Sequence, residues 1–101
     1  MRTIEYTTKF KRDYKREFKG IYKREFKGIY KKTLANDLKL VIQLLEKDVV
    51  LPTNYYDHAL IGDWKDHRDC HIKPDLVLIY RKPDETKLQL IRLGSHSQLG
   101  M

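Results

Sequence analysis

Cysteine is all but missing from this chain of 101 residues: Cys70 stands alone, so no internal disulfide can form. Long apolar runs are missing too. The longest, Leu76 to Tyr80, has five residues, far short of the ~20 that span a bilayer. The opening Met1-Arg2-Thr3-Ile4-Glu5 contains no apolar stretch of the kind a signal peptide carries. These absences argue against a membrane protein or a disulfide scaffold, and the expectation is a cytoplasmic protein. At 41% hydrophobic and 35% charged, the composition suits one small globular domain, residues 1–101, with a thin core.

Positive charge is what the chain has in excess, and it is concentrated. Residues 9–32 hold eleven Lys or Arg against Asp13, Glu17 and Glu25, a net +8, so the remainder of a +7 chain sums to −1. A basic block of this kind suits nucleic acid, a ribosome or an acidic protein. Lys15, Arg16, Lys23 and Arg24 are its candidate phosphate contacts. A plain solvated helix face is the competing reading.

The same segment contains a repeat. Residues 14–21 read YKREFKGI, residues 22–29 repeat it unchanged, and Tyr30-Lys31-Lys32 begins a third copy and then departs. Two copies do not build a solenoid; a tandem duplication, natural or introduced in the laboratory, accounts for them. Phe10, Tyr14, Phe18, Tyr22, Phe26, Tyr30 and Leu34 recur every four residues, which predicts helix. The stripe drifts about 40° per step, too far for one straight face to stay buried. A helix is therefore expected from about residue 8 to 20 or beyond, with Gly20 and Gly28 as places to break it. The second copy either extends that helix or loops out.

Leu34, Leu38, Val41 and Leu45, widened by Leu40, Ile42 and Leu44, predict a core helix over about 33–48. A loop follows from Pro52 to about Gly62. Three strands are then expected. The first runs from Trp64 to Ile72, with Trp64, Cys70 and Ile72 on one face and Lys65, His67, Asp69 and His71 on the other. The second is the run Leu76–Tyr80, buried on both sides, and the third is Leu88–Leu93. Turns at Pro74-Asp75 and Pro83–Thr86 make them an antiparallel meander. Arg2–Tyr6 is a possible fourth strand. The expected class is α+β, with two N-terminal helices on one face of a small antiparallel sheet in the order β-α-α-β-β-β.

Chemistry points to histidine. His58 lies in the loop, His71 near the end of the first meander strand, Asp75 in the next turn, and His96 after the last strand. These places can converge at one sheet edge. RNA is cut when its own 2′-OH attacks the adjacent phosphate, which needs a base, an acid and positive charge. Imidazoles supply all three without a metal. Asp75 is a candidate to fix a tautomer or take a proton, and Arg92 to clamp a phosphate. Surface histidines and a structural Arg92 ion pair are the bland alternatives. Zinc on His67, Cys70 and His71 is disfavoured, because a strand sends Cys70 to the opposite face and there is no paired-cysteine motif. The same alternation disfavours Cys70 as a nucleophile.

Between Tyr56 and Leu99 the chain carries Asp57-His58-Ala59-Leu60, Gly62-Asp63-Trp64-Lys65, Arg68-Asp69-Cys70-His71, Lys73-Pro74-Asp75, Leu78-Ile79-Tyr80 and Arg92-Leu93-Gly94-Ser95-His96-Ser97. In that order and spacing it resembles the YafQ branch of the RelE toxin superfamily. The resemblance implies a RelE-like fold and a metal-independent endoribonuclease that cuts translated messages in the ribosomal A site. It implies a cognate acidic antitoxin of the DinJ type, contact with the 70S ribosome and mRNA, and contact with operator DNA only through the antitoxin. It assigns proton transfer and phosphate binding to His58, His71, Asp75 and His96, without fixing which is acid and which is base. Arg92 matches a basic position near that group, and His67 matches nothing. One departure stands out: where the family carries an aromatic residue, usually Phe, after the C-terminal histidine, this chain has Gly100. If that ring stacks on a base, its loss is worth ~1–3 kcal/mol. The alternatives are a catalytically weak ribosome, RNA or antitoxin binder, or an engineered duplication variant.

Overall fold

The computed structural model describes residues 1–22 and 27–101, with side chains for 1–17 and 34–101. The second octapeptide copy, Lys23 and Arg24 therefore lie wholly or largely outside the described residues, as do the side chains of Phe18, Tyr22, Phe26 and Tyr30. The elements run β1 (Thr3–Tyr6), α1 (Thr8–Tyr22), α2 (Lys27–Glu46), β2 (His58–Ala59), β3 (Arg68–Lys73), β4 (Leu76–Arg81) and β5 (Lys87–Gly94). Thr7 starts α1: its hydroxyl accepts a hydrogen bond from the Phe10 amide at 3.0 Å, satisfying one of the free donors of the first turn.

The strands form one five-stranded sheet in the order β1-β5-β4-β3-β2. The α+β layering is as the pattern predicts, but the sheet is mixed, since β1 lies parallel to β5. Two helices separate β1 from the meander, and a helical crossover of that length permits a parallel pair. β2 is an addition to the expected order. His58 sits opposite Asp69 and Ala59 opposite Arg68, so part of the anticipated loop is a short edge strand.

Strand alternation sorts the core into two faces. Leu76, Leu78 and Tyr80 point toward the helices, where they meet Leu34, Leu38, Val41 and Leu45. All four helix residues are buried, as their spacing predicts, whereas Leu40 is half exposed. Val77 and Ile79 point the other way, into a smaller cluster with Leu99, Leu60, Trp64 and Ile91. Trp64 is thus on the face opposite Cys70 and Ile72. The expected strand start at Trp64 fails because Gly62 and Asp66 take left-handed backbone angles (φ 68° and 69°) and fold residues 62–67 into turns.

Register explains β5. Tyr80 pairs with Leu90 and Ile79 with Arg92, leaving Ile91 as a bulge residue. The extra residue lets Leu90 and Leu93 both enter the helix-side core although they are three apart. No helix among the described residues is long and apolar enough to cross a membrane.

Candidate active site

Val77 organises the histidine face. Its register partner is His71 on one side and Gly94 on the other. The end of β3, the turn into β4 and the exit of β5 therefore meet at one end of the sheet. His96 follows Gly94 by two residues, and its ring lies 5.0 Å from that of His71 between centroids, edge-on. Asp75, in the β3–β4 turn, reaches across to it. His96 Nδ1 is 2.7 Å from Asp75 Oδ1, and the His96 amide donates to the same oxygen at 3.1 Å. The imidazole bond, then the amide bond, hold the Asp75 carboxyl below its ordinary range despite slight desolvation. An ionised carboxylate only accepts, so Nδ1 is the donor and His96 Nε2 is left as the unprotonated nitrogen of the neutral ring.

His58 enters from β2. Its Nδ1 lies 2.8 Å from the Tyr56 carbonyl and 3.0 Å from Asp69 Oδ1. The ring proton is directed at the carbonyl, which can only accept; Asp69 Oδ1 is a buried oxygen with no hydrogen-bond partner. The neutral His58 tautomer is thereby fixed with Nε2 free. The loop that carries it is pinned at Asp57, which accepts from Tyr80 Oη at 2.6 Å and from Arg68 Nε at 3.2 Å.

Asp69, part of the Arg68–His71 motif but given no role by the sequence, belongs to the group. It is 1% exposed, and burial pushes its carboxyl above the usual range, against the attraction of His58, then His71, then His96. One acid therefore feels all three imidazoles. The signal was present: Asp69 and His71 are two apart on one strand, hence on one face. Tyr56 was likewise given no role; its ring lies 5.5 Å from that of His71.

The remaining candidates are placed elsewhere. His67 bonds the Lys65 carbonyl through Nδ1 at 2.9 Å and sits edge-on to Trp64. Cys70 is buried on the helix side, where desolvation pushes its thiol far up, so it offers neither a thiolate nor a metal ligand beside His71. Arg92 is already occupied: Nε meets Asp13 Oδ2 at 2.6 Å and Nη2 meets Oδ1 at 3.3 Å. Arg16 shares that carboxylate at 3.0 Å and donates to the Leu93 carbonyl at 2.8 Å. Lys15 lines a groove between α1 and α2 with Lys11 and Lys39, on the side of the sheet away from the histidines.

The arrangement has three imidazoles at one sheet end, two with defined tautomers. Their side chains are open to a large substrate: His58 is 55% exposed and His96 40%. Such a group can take a proton, return one and bind a phosphate.

Comparison with known proteins identifies the family. Residues 2–101 match the family model described as the bacterial toxin of type II toxin–antitoxin system, YafQ. The mRNA interferase toxin YafQ of Escherichia coli K12 is 39% identical over 99 residues, covering 97% of this chain and 95% of that one. A relative from Haemophilus influenzae is 48% identical over 63 residues, 59% of this chain and 62% of its own length. The crystal structure of the E. coli DinJ–YafQ complex contains a chain that superimposes with a TM-score of 0.76 at 34% identity, covering 98% of both.

Proposed function

The chain belongs to the YafQ family of type II toxin–antitoxin toxins and is an mRNA interferase, an endoribonuclease; from that premise we propose that it cuts translated mRNA in the ribosomal A site by histidine acid–base chemistry, without a metal. One observation carries the mechanism: His71 and His96 lie ring to ring at 5.0 Å, with Asp75 holding His96 Nδ1 and leaving Nε2 free. His58 brings a second free Nε2 to the same face.

In the proposed reaction an imidazole Nε2 accepts the 2′-OH proton as that oxygen attacks the adjacent phosphorus. A protonated imidazole returns a proton to the 5′ oxygen as its bond to phosphorus breaks. The products are a 2′,3′-cyclic phosphate and a 5′-OH, so atoms and charge balance. Each positioned transfer contributes about 10²–10⁴-fold. Positive charge from a protonated imidazole offsets the charge that builds on the phosphorane. Arg92 and Arg16 support the site from behind, by fixing Asp13 to the strand that leads to His96. Lys15, and in the second octapeptide copy Lys23 and Arg24, supply positive potential for ribosomal RNA. The partner in the resting cell is an acidic antitoxin, as DinJ is bound to the E. coli relative; operator DNA is contacted through that antitoxin. The place of action is the cytoplasm.

The test is to incubate the purified protein with translating ribosomes and map message ends by primer extension, with and without His96→Ala. Codon-spaced ends that vanish in the variant support the proposal. A folded wild type that binds ribosomes without cutting makes the protein a binder instead. Addition of EDTA at constant free magnesium should leave the rate unchanged.

A further inference from the structure

Tyr56 is the most exposed aromatic ring among the described residues, at 66%, and it stands on the histidine side. The next, Tyr6 and Tyr14, belong to a row with Phe10 on the helix side. Its backbone is left-handed (φ 51°), a conformation a bulky residue adopts only when its surroundings impose it. The surroundings do so: the Tyr56 amide donates to the Thr53 carbonyl at 3.1 Å, the Tyr56 carbonyl accepts from His58, and the next residue is Asp57, pinned by Tyr80 and Arg68. A large, two-thirds exposed ring is thus carried on a tied-down backbone, 5.5 Å from His71, which is 5.0 Å from His96.

The turn after His96 offers no ring. Leu99 is buried against Val77 and Ile79, and residue 100 is a glycine with φ 73°. Among the described residues, Tyr56 is the most exposed aromatic ring that a base lying over the histidine group can meet, because Trp64 on the same face is packed against Val77 and Ile79. We propose that Tyr56 is the nucleobase-stacking platform of this site, positioning the base beside the scissile phosphate over His71. The proposal rests on the nuclease reading. Stacking uses the face of a ring and tolerates any base, so it sets affinity and register more than sequence choice.

The experiment uses the whole protein and a 2′-O-methyl trinucleotide, which binds but cannot be cut. In the wild type, titration should move the Tyr56 ring protons upfield in NMR, with the same midpoint as the His71 ring protons. Tyr56→Leu should weaken binding roughly 5- to 150-fold, the range for loss of a stacking aromatic. Tyr56→Phe should restore it, and the same ranking should appear in KM more than kcat on ribosomes. His71 shifts without Tyr56 shifts, or Tyr56→Leu cutting as well as wild type, overturns the proposal while leaving the nuclease intact. Tyr56→Leu that cuts normally but loses its antitoxin reassigns the ring to protein contact and also overturns it. A wild type that neither binds the trinucleotide nor cuts on ribosomes defeats the nuclease reading, and this inference with it.

Discussion

Two aspartates are buried among the described residues, Asp13 at 3% and Asp69 at 1% exposure, and their environments are opposite. Asp13 is saturated. Arg92, Arg16 and the Leu93 amide donate to it, and these bonds outweigh desolvation and keep its carboxyl below the ordinary range. Asp69 is starved. Its Oδ1 has no hydrogen bond, and burial raises its carboxyl although three imidazoles oppose the shift. Satisfied buried charge is structure: it ties α1 to the end of β5. Burying an acid with an oxygen that accepts no hydrogen bond costs stability, and it persists here beside His58, His71 and His96. Perturbed acids of that kind gather at functional sites.

The comparison predicts which aspartate the fold needs. Asp13→Ala leaves the Arg92 guanidinium and the Leu93 amide without their acceptor. Breaking such a pair costs about 3 kcal/mol, at the low end of the buried range because the arginines are partly exposed. For a domain of this size that lowers Tm by roughly 12–24 °C, measurable by thermal unfolding. Asp69→Asn should leave stability unchanged or raise it at neutral pH, since burial disfavours the charged form of the carboxyl that it removes. Its cleavage rate on ribosomes should nevertheless fall about 10²-fold, through loss of the charge that the three imidazoles share. If Asp69→Asn unfolds the protein as Asp13→Ala does, the contrast between the two acids collapses.

Acid titration sharpens the same contrast. The carboxyl of Asp13 is lower in the folded state, so its contribution is complete above the ordinary carboxylate range near ~3.9 and fades as pH falls through the folded value. Asp69 is higher in the folded state, so its contribution is present below ~3.9 and is lost as pH rises through the folded value. Urea midpoints measured from pH 2.5 to 7 should therefore drop less on acidification in Asp13→Asn than in wild type. In Asp69→Asn the midpoint should hold steadier as pH rises from 4. Parallel curves for both variants would show that the two acids are equivalent.

Much of this was legible in the sequence. Leu34, Leu38, Val41 and Leu45 follow a helix period and Leu76–Tyr80 is a five-residue apolar run, so α2 and β4 follow from periodicity alone. His71, Asp75 and His96 converge because two short turns fix an antiparallel register. What the pattern hid was non-local. The parallel seat of β1 depends on pairing across more than 80 residues of chain. Trp64 changed faces because one residue in each of two turns, Gly62 and Asp66, takes a left-handed angle. Arg92 reads as a free charge on an apolar strand until Asp13, 79 residues earlier, is brought beside it. Asp69 gave its alternation with His71 but not its burial, which depends on neighbouring strands.

The finest test lies at Gly94, between the two regions. A Cβ there would stand 2.8 Å from Arg16 Nη2 and 3.0 Å from Gln98 Oε1. Both are ends of long side chains that can move, so Gly94→Ala should not break β5. It should displace the Arg16 guanidinium from the Leu93 carbonyl while leaving Arg92 on Asp13. Losing that one hydrogen bond costs about 1 kcal/mol, roughly 4–8 °C in Tm. Gln98 also accepts from the Ser95 amide at 2.8 Å, so the turn that carries His96 should shift slightly and cleavage fall a few-fold. A stability loss as large as that of Asp13→Ala would mean that Arg16, not Arg92, is the principal counter-charge of Asp13. A loss of cleavage without any loss of stability would mean that the histidine end of the sheet depends on the packing of its own turn more than on the brace behind it.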